Sequence, residues 1–259
     1  MGPSSDATGD AATPFRDLPV ITVIIPAYNE SARIAATVTA ASSVAGVSRV
    51  IVVDDGSADT TTDEAQRAGA EVVRLADNRG KAAAMEQGFQ AAVADDQPDD
   101  QPDDRANVLV FLDADLESTA KHLGTLVEPV QSGEADMTVA TLPRQSTSGG
   151  GHGFVVRLAH DGIQQATGWE ASQPLSGQRA VSAAAFRSAL PLATGWGVEV
   201  GLTIDLLNRG FRLMEVEVPF HHRVSGKDWR AQVHRGRQFL GVWRALRARG
   251  VGPRFPLPH

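Results

Sequence analysis

Four short apolar runs, Val20–Ile25, Arg49–Val53, Ala70–Leu75 and Val108–Leu112, alternate with stretches of helical composition at 32–44, 60–68 and 80–94. Such continuous runs, rich in β-branched residues, suit strands buried on both faces. Strands alternating with helices imply an α/β fold with a mainly parallel, Rossmann-like central sheet and helices on both faces. Ligands of such sheets bind beyond the carboxyl ends of the strands. The polar clusters after the first, second and fourth runs should therefore meet at one crevice. They are Pro26-Ala-Tyr-Asn-Glu30, Asp54-Asp55-Gly56-Ser57 and Asp113-Ala-Asp115.

The length of 259 residues fits one large α/β domain with tails. Residues 1–18 read as a disordered polar tail without the apolar core of a secretory signal. No apolar run reaches the roughly 20 residues that a membrane-spanning helix needs. The chain has no cysteine, so any metal must be held by oxygen or imidazole, which favours Mg2+ or Mn2+. These features suit a cytoplasmic protein. The net charge of −7 argues against nucleic acid as a partner.

That charge is unevenly spread. Asp95–Asp104 is an acidic duplication that reads as a solvated loop, and Gln145–Gly153 reads as a Ser/Gly-rich loop. From Arg223 onward nine cations face one carboxylate, Asp228. Such a polarity points to an anion at that end. Residues 19–223 are therefore assigned to the α/β domain and 224–259 to a basic C-terminal arm. Within the arm, 229–249 reads as an amphipathic helix with Val233, Leu240, Trp243 and Leu246 on one face. Arg230, Arg237 and Arg244 form a stripe suited either to an anionic membrane surface or to solvent. Pro174–Gln178 reads as a turn into a helix, 196–208 as a helix closed by Gly210, and 211–218 as a strand.

Carboxylates just past a buried strand are costly unless they meet a cation or hydrogen-bond donors. Asp113 and Asp115, with Glu117 two residues on, suit a divalent ion carrying substrate phosphates; the alternative is a helix N-cap at Asp115 or Ser118. Asp55 suits a nucleobase N–H, while Ser57 and Asp59 suit either ligand or cap. Tyr28 suits stacking on a base, and Glu30 suits ribose hydroxyls or simply a helix N-terminus. Asn78-Arg-Gly-Lys81 opens a helix whose free amides suit a diphosphate, or is a surface turn.

PAYNE at 26–30, VDDGSADTT at 53–61, NRGK at 78–81 and DADLE at 113–117 resemble, in order and spacing, the motifs of family 2 glycosyltransferases. The resemblance implies the GT-A fold and a nucleotide-sugar donor. It places Asp55 on the base and the Pro26, Tyr28 and Glu30 loop around the nucleoside. It also places Lys81 by the phosphates or sugar, Asp113 on sugar or ribose, and Asp115 on the metal, with Glu117 as a further ligand. QPLSGQRAV at 173–181 and GWGVEVGLTIDLL at 195–207 resemble the glucosyl-3-phosphoglycerate synthases. This similarity implies UDP-glucose as donor, Glu199 beside the sugar, and a metal-binding His for which His222 matches better than His221. Phe154 and Val156 stand where those synthases carry Arg and Thr for the acceptor phosphate, and Val224 where they carry Asn. Arg223-Val-Ser-Gly-Lys227 instead resembles the acceptor-phosphate stretch of polyprenyl-phosphate sugar synthases. Arg223 and Lys227 are thereby expected to bind a phosphorylated acceptor.

The expected activity is hexosyl transfer from a UDP-sugar, with a polyprenyl-phosphate sugar synthase using a UDP- or GDP-sugar as the alternative. The further partners considered are a second copy of the chain, as a homodimer, and the inner face of the membrane, contacted peripherally. A nucleotidyltransferase would need a Gly-rich basic loop after its first strand, where PAYNE stands. A non-enzymatic scaffold would have no use for Asp113 and Asp115 together.

Overall fold

The computed structural model describes residues 20–94, 107–142, 153–221 and 229–252, with side chains in the last stretch from 236 onward. In chain order the elements are β1 (Ile21–Ala27), α1 (Ile34–Ser42), β2 (Val47–Asp54), α2 (Thr61–Arg67), β3 (Glu71–Arg74), α3 (Lys81–Val93) and β4 (Val108–Phe111). A 3-10 helix (Glu117–His122) leads into α4 (Leu123–Gln131), followed by β5 (Met137–Thr141), α5 (Phe154–Thr167), β6 (Arg179–Ser182) and α6 (Ala183–Ser188). A 3-10 turn (Gly195–Gly197) opens α7 (Val198–Asn208), and β7 (Leu213–Glu217) and α8 (Trp229–Ala248) complete the fold.

The strands form one sheet in the order β3-β2-β1-β4-β6-β5-β7. β1 pairs in parallel with β2 and β4, β2 with β3, and β5 with β7; β6 runs antiparallel to both of its neighbours, β4 and β5. The expected mainly parallel sheet is present. β1 alternates Val23 and Ile25 into the layer shared with α1 and α4, and Ile24 into the layer shared with α3, α6 and α7. Both faces are thus covered, which is why these strands read as unbroken apolar runs.

β1 continues through Pro26, where the sequence suggested a stop. The missing N–H does no harm there. Ile24 O accepts from Leu112 N on the β4 side, so Pro26, with the same parity, faces that side after the β4 register has ended.

Two further expectations are corrected. Pro174–Gln178 leads into strand β6 rather than a helix, and α6 begins only at Ala183. Arg179–Ser182 is buried at every position, so it carries no alternation to mark it as a strand. On α8, Leu240 is 46% exposed, and Val242, Ala245 and Leu246 form the buried side. That side joins Val155, Ala159 and Ile163 of α5 and Val200 and Ile204 of α7 in a separate apolar cluster. The helix of the basic arm thus packs on helices rather than on the sheet. Arg249 fixes its end through paired hydrogen bonds to Asp205 of α7. Val233 and Arg230 fall among residues whose side chains lie outside the described set, as do the acidic duplication and nearly all of the 145–153 loop. Among the described residues no helix is long and apolar enough to cross a membrane.

Candidate active site

The polar clusters converge at the carboxyl edge of β1, β2 and β4. The first two loops are laced together. Asn29, at a φ of 56°, donates its backbone N–H to Ser57 Oγ and accepts from Ala58 N; Glu30 N donates to Thr61 Oγ1, and Ser31 N to Asp59. Asp59 also accepts from Thr61 N and so staples the two loops together, while the cap position of α2 is Thr60. Desolvation raises the Asp59 pKa, but the hydrogen bonds from Thr61 and Ser31 together outweigh that and pull its carboxyl down to about 2.

Asp54 is fully buried and accepts from Ser57 N and Thr62 Oγ1. Asp55, 4% exposed, accepts from Arg79 N at 2.7 Å and Gly80 N at 2.8 Å, one on each oxygen. Two amides expected to face a diphosphate are therefore bound to Asp55, which docks the 78–81 loop on β2. Each Asp55 oxygen keeps a second lone pair, the kind of acceptor a nucleobase N–H uses. Gly56 allows this approach: its φ is +76°, and a Cβ there would stand 2.8 Å from the Asp77 carbonyl carbon. Tyr28 is 49% exposed, and Glu30 pairs with Arg33 at 2.6 Å.

The Asp113–Glu117 loop hangs on buried Thr37, whose Oγ1 donates to Ala114 O and accepts from Glu117 N. The cap position of the following 3-10 helix is Leu116, so the capping alternative for Asp115 or Ser118 falls away. Glu117, at a φ of 48°, is more than half exposed and lies 3.9 Å from Arg33 Nε. Asp115 is half-buried. Among the described residues no three metal-type side chains cluster. His222, Arg223 and Lys227 lie outside the described residues, but His221 N donates to Thr119 Oγ1 at 3.3 Å. His221 thus lies against the 3-10 helix that follows the Asp115 loop.

The tightest cluster joins both halves of the chain. Lys81 Nζ lies 2.7 Å from Asp113 Oδ1 and 3.1 Å from Glu199 Oε1. Gln178 Nε2 donates to Asp113 Oδ2 at 2.5 Å. Desolvation opposes charge on Lys81, but Asp113 and Glu199 outweigh it and hold the ammonium above the ordinary lysine range. Lys81, Asp113 and Glu199, singled out from the sequence, are brought together. Gln178 and Gly177 belong to the 173–181 motif, which by itself gives them no role. Gly177 has no Cβ because one would overlap Lys81 Nζ and stand 3.0 Å from Asp113 Oδ1. Their only signal was a Gly-Gln pair before a short apolar run, and it gained meaning only once β6 proved to run backwards. Arg179 was equally unread.

The hard oxygens of Asp115 are chemically suited to a divalent cation. Carboxylates around a shared ammonium at a sheet edge suit a hydroxyl-rich ligand that also carries phosphate.

Comparison with known proteins agrees. Residues 22–187 match the model described as glycosyl transferase family 2. Glucosyl-3-phosphoglycerate synthase of Mycobacterium tuberculosis is 32% identical over 211 residues, which cover 73% of this chain and 61% of that protein. Undecaprenyl-phosphate 4-deoxy-4-formamido-L-arabinose transferase of Edwardsiella ictaluri is 28% identical over 218 residues, covering 80% of this chain and 61% of that one. The crystal structure of the M. tuberculosis synthase with Mg2+ and UDP aligns with a TM-score of 0.72 at 28% identity, covering 91% of this chain and 81% of that one. The chain spans 61% of the length of both curated relatives. The expected GT-A fold is the fold found.

Proposed function

This chain is a member of glycosyl transferase family 2, and from that premise we propose that it transfers a hexose, glucose foremost, from a UDP-sugar to a phosphorylated acceptor with Mg2+ or Mn2+. The observation that carries this reading is the Asp113–Lys81–Glu199 cluster, with Gln178, beside Asp115 at the carboxyl edge of the sheet.

Breaking the anomeric C–O bond puts charge on the departing diphosphate. A divalent ion, when bound, supplies electrostatic stabilisation of that charge, and Asp115 and His222 are the residues that would hold it. Lys81 brings a fixed positive charge to the same edge. Asp113, oriented by Lys81 and Gln178, presents its remaining lone pairs to sugar or ribose hydroxyls. Glu199 is turned toward the site by Lys81 and orients the sugar. A phosphate acceptor attacks through an oxygen that is already anionic, so no strong base is required; a neutral hydroxyl acceptor would make Glu199 the base. Arg223 and Lys227 are assigned to the acceptor phosphate, where two parallel N–H bonds from Arg suit the anion.

The test is transfer from labelled UDP-glucose, comparing phosphoglycerate with polyprenyl phosphate. Product with neither acceptor, and no metal-dependent hydrolysis of UDP-sugars, would sink the reading. A specific observation supports the polyprenyl alternative. α8 exposes Arg237, Leu240, Arg244 and Arg247 at helical spacing, with Trp196 41% exposed on the turn that packs against Gly241. Such a face suits an anionic lipid surface. Failure to bind anionic vesicles would leave the soluble acceptor.

A further inference from the structure

Beneath the cluster lies Arg179, the first residue of β6 and 1% exposed. It pairs in register with Phe111 on one side and Val139 on the other, two residues short of Asp113 along β4. Its Nε donates to Ser176 O at 3.0 Å and its Nη1 to Thr203 Oγ1 at 2.8 Å. Thr203 Oγ1 in turn donates to Glu199 O, one helical turn back. Arg179 Nη2 has no hydrogen-bond partner among the described residues.

A guanidinium in this position is a poor choice for stability. Burial disfavours the charged form, pulling Arg179 down to about 10 although Glu199 and Glu215 oppose the shift. A buried N–H without a partner adds a desolvation cost, and well-packed apolar replacements of buried charges are often neutral or stabilising. Met137 already lies against the guanidinium, so an unbranched apolar side chain would suit the same surroundings. The gain from Arg179 must therefore lie elsewhere, and its two filled bonds show where. One holds the carbonyl that precedes Gly177 and Gln178, the residues against Lys81 and Asp113. The other reaches Thr203 on α7, whose hydroxyl holds the Glu199 carbonyl one turn back. Violations of packing and polar-satisfaction rules concentrate at functional sites.

We propose that Arg179 is a positioning residue for the transfer reaction: a buried rivet joining the Ser176–Gln178 loop to Thr203 of α7, and through its hydroxyl to the Glu199 carbonyl, so that Gln178 and Glu199 close on Asp113 and Lys81. The claim rests on the glycosyltransferase reading for its catalytic consequence but not for its structural one.

The test compares Arg179→Met and Arg179→Lys with the unaltered chain by transfer kinetics, thermal melting, UDP calorimetry and hydrogen exchange. Met should lower kcat about 100-fold, the scale of a small misplacement of reacting groups. The donor KM and UDP affinity should stay within about threefold, and the melting temperature should be unchanged or higher. Lys, which keeps the charge and one directed bond, should recover about tenfold of the lost rate. Amides of 173–178 and 198–203 should exchange faster in Arg179→Met while the β1–β4 amides keep their protection. The proposal is overturned if kcat holds within about threefold, or if exchange in those two segments is unchanged. It is also overturned if melting temperature, UDP affinity and rate all fall together, which is what a merely structural residue would give. If the unaltered chain transfers no sugar, the functional reading fails, and the exchange result alone decides whether Arg179 fixes the two segments.

Discussion

Replacing Gly177 by Ala tests whether the site depends on the placement of Lys81. The backbone there is not in the left-handed region, so Ala adds no torsional strain, only a methyl group. That methyl overlaps Lys81 Nζ and stands 3.0 and 3.2 Å from the Asp113 oxygens. The lysine tip is flexible and would retreat by about 1 Å to reach an ordinary contact distance. At an effective dielectric of about 20, an ion pair at 2.7 Å is worth about 6 kcal/mol, falling to about 4.5 at about 3.7 Å. Partial exposure of both partners screens that difference to about 1 kcal/mol. The melting temperature should then drop by only about 2–4 °C. The rate should suffer far more, because a displacement of about 1 Å at a reacting centre costs about 100-fold. Initial-rate kinetics with UDP-glucose, alongside a melting curve, separates the two effects. A Gly177→Ala enzyme within twofold of the original kcat would refute the idea that Asp113 must hold Lys81 at contact distance.

Asp55→Asn keeps one acceptor oxygen but turns an amide N–H2 toward a backbone N–H, so it should cost about 1–3 kcal/mol in chemical denaturation. If Asp55 also reads the base, UDP affinity by calorimetry should fall about tenfold, and a variant binding UDP normally would remove Asp55 from base recognition. Asp59 is depressed to about 2 in the folded chain, so its contribution is complete above the unfolded value near 3.8 and is lost as the pH falls through about 2. The melting-temperature gap between the unaltered chain and Asp59→Ala should therefore be constant near neutrality and close between about pH 4 and 2; a gap independent of pH contradicts the hydrogen-bonding account. Asp115→Ala should abolish transfer with circular dichroism unchanged, and full activity in that variant would exclude Asp115 as a metal ligand.

The first half of the fold was legible because βαβ units write themselves locally. Buried strands such as 50–53 are unbroken apolar runs, and the polar residues after them fall on one edge by topology alone. What could not be read was set by distant pairing. Arg179–Ser182 is four residues with no period, and only its insertion between β4 and β5 makes it a strand. Gln178 and Gly177 owe their place to that reversal. Leu240 was assigned to the wrong face of α8 because spacing alone could not show which side met α5 and α7. Asp55 was expected to face a ligand, and its bonds to Arg79 and Gly80 depend on a loop 24 and 25 residues away.

The reversed strand also carries a kinetic consequence. β1 to β4 and their helices precede the rest of the fold in the chain, so they can dock while the remainder is still being synthesised. Lys81 and Asp113 would then already face each other, with neither Gln178 nor Glu199 in place. The β4–β6 ladder, which joins Phe111 to Arg179, must wait until the β6 residues have been made. The donor half should therefore consolidate first, and competence for catalysis should arrive as a separate, later event, when β6 slides in beside β4.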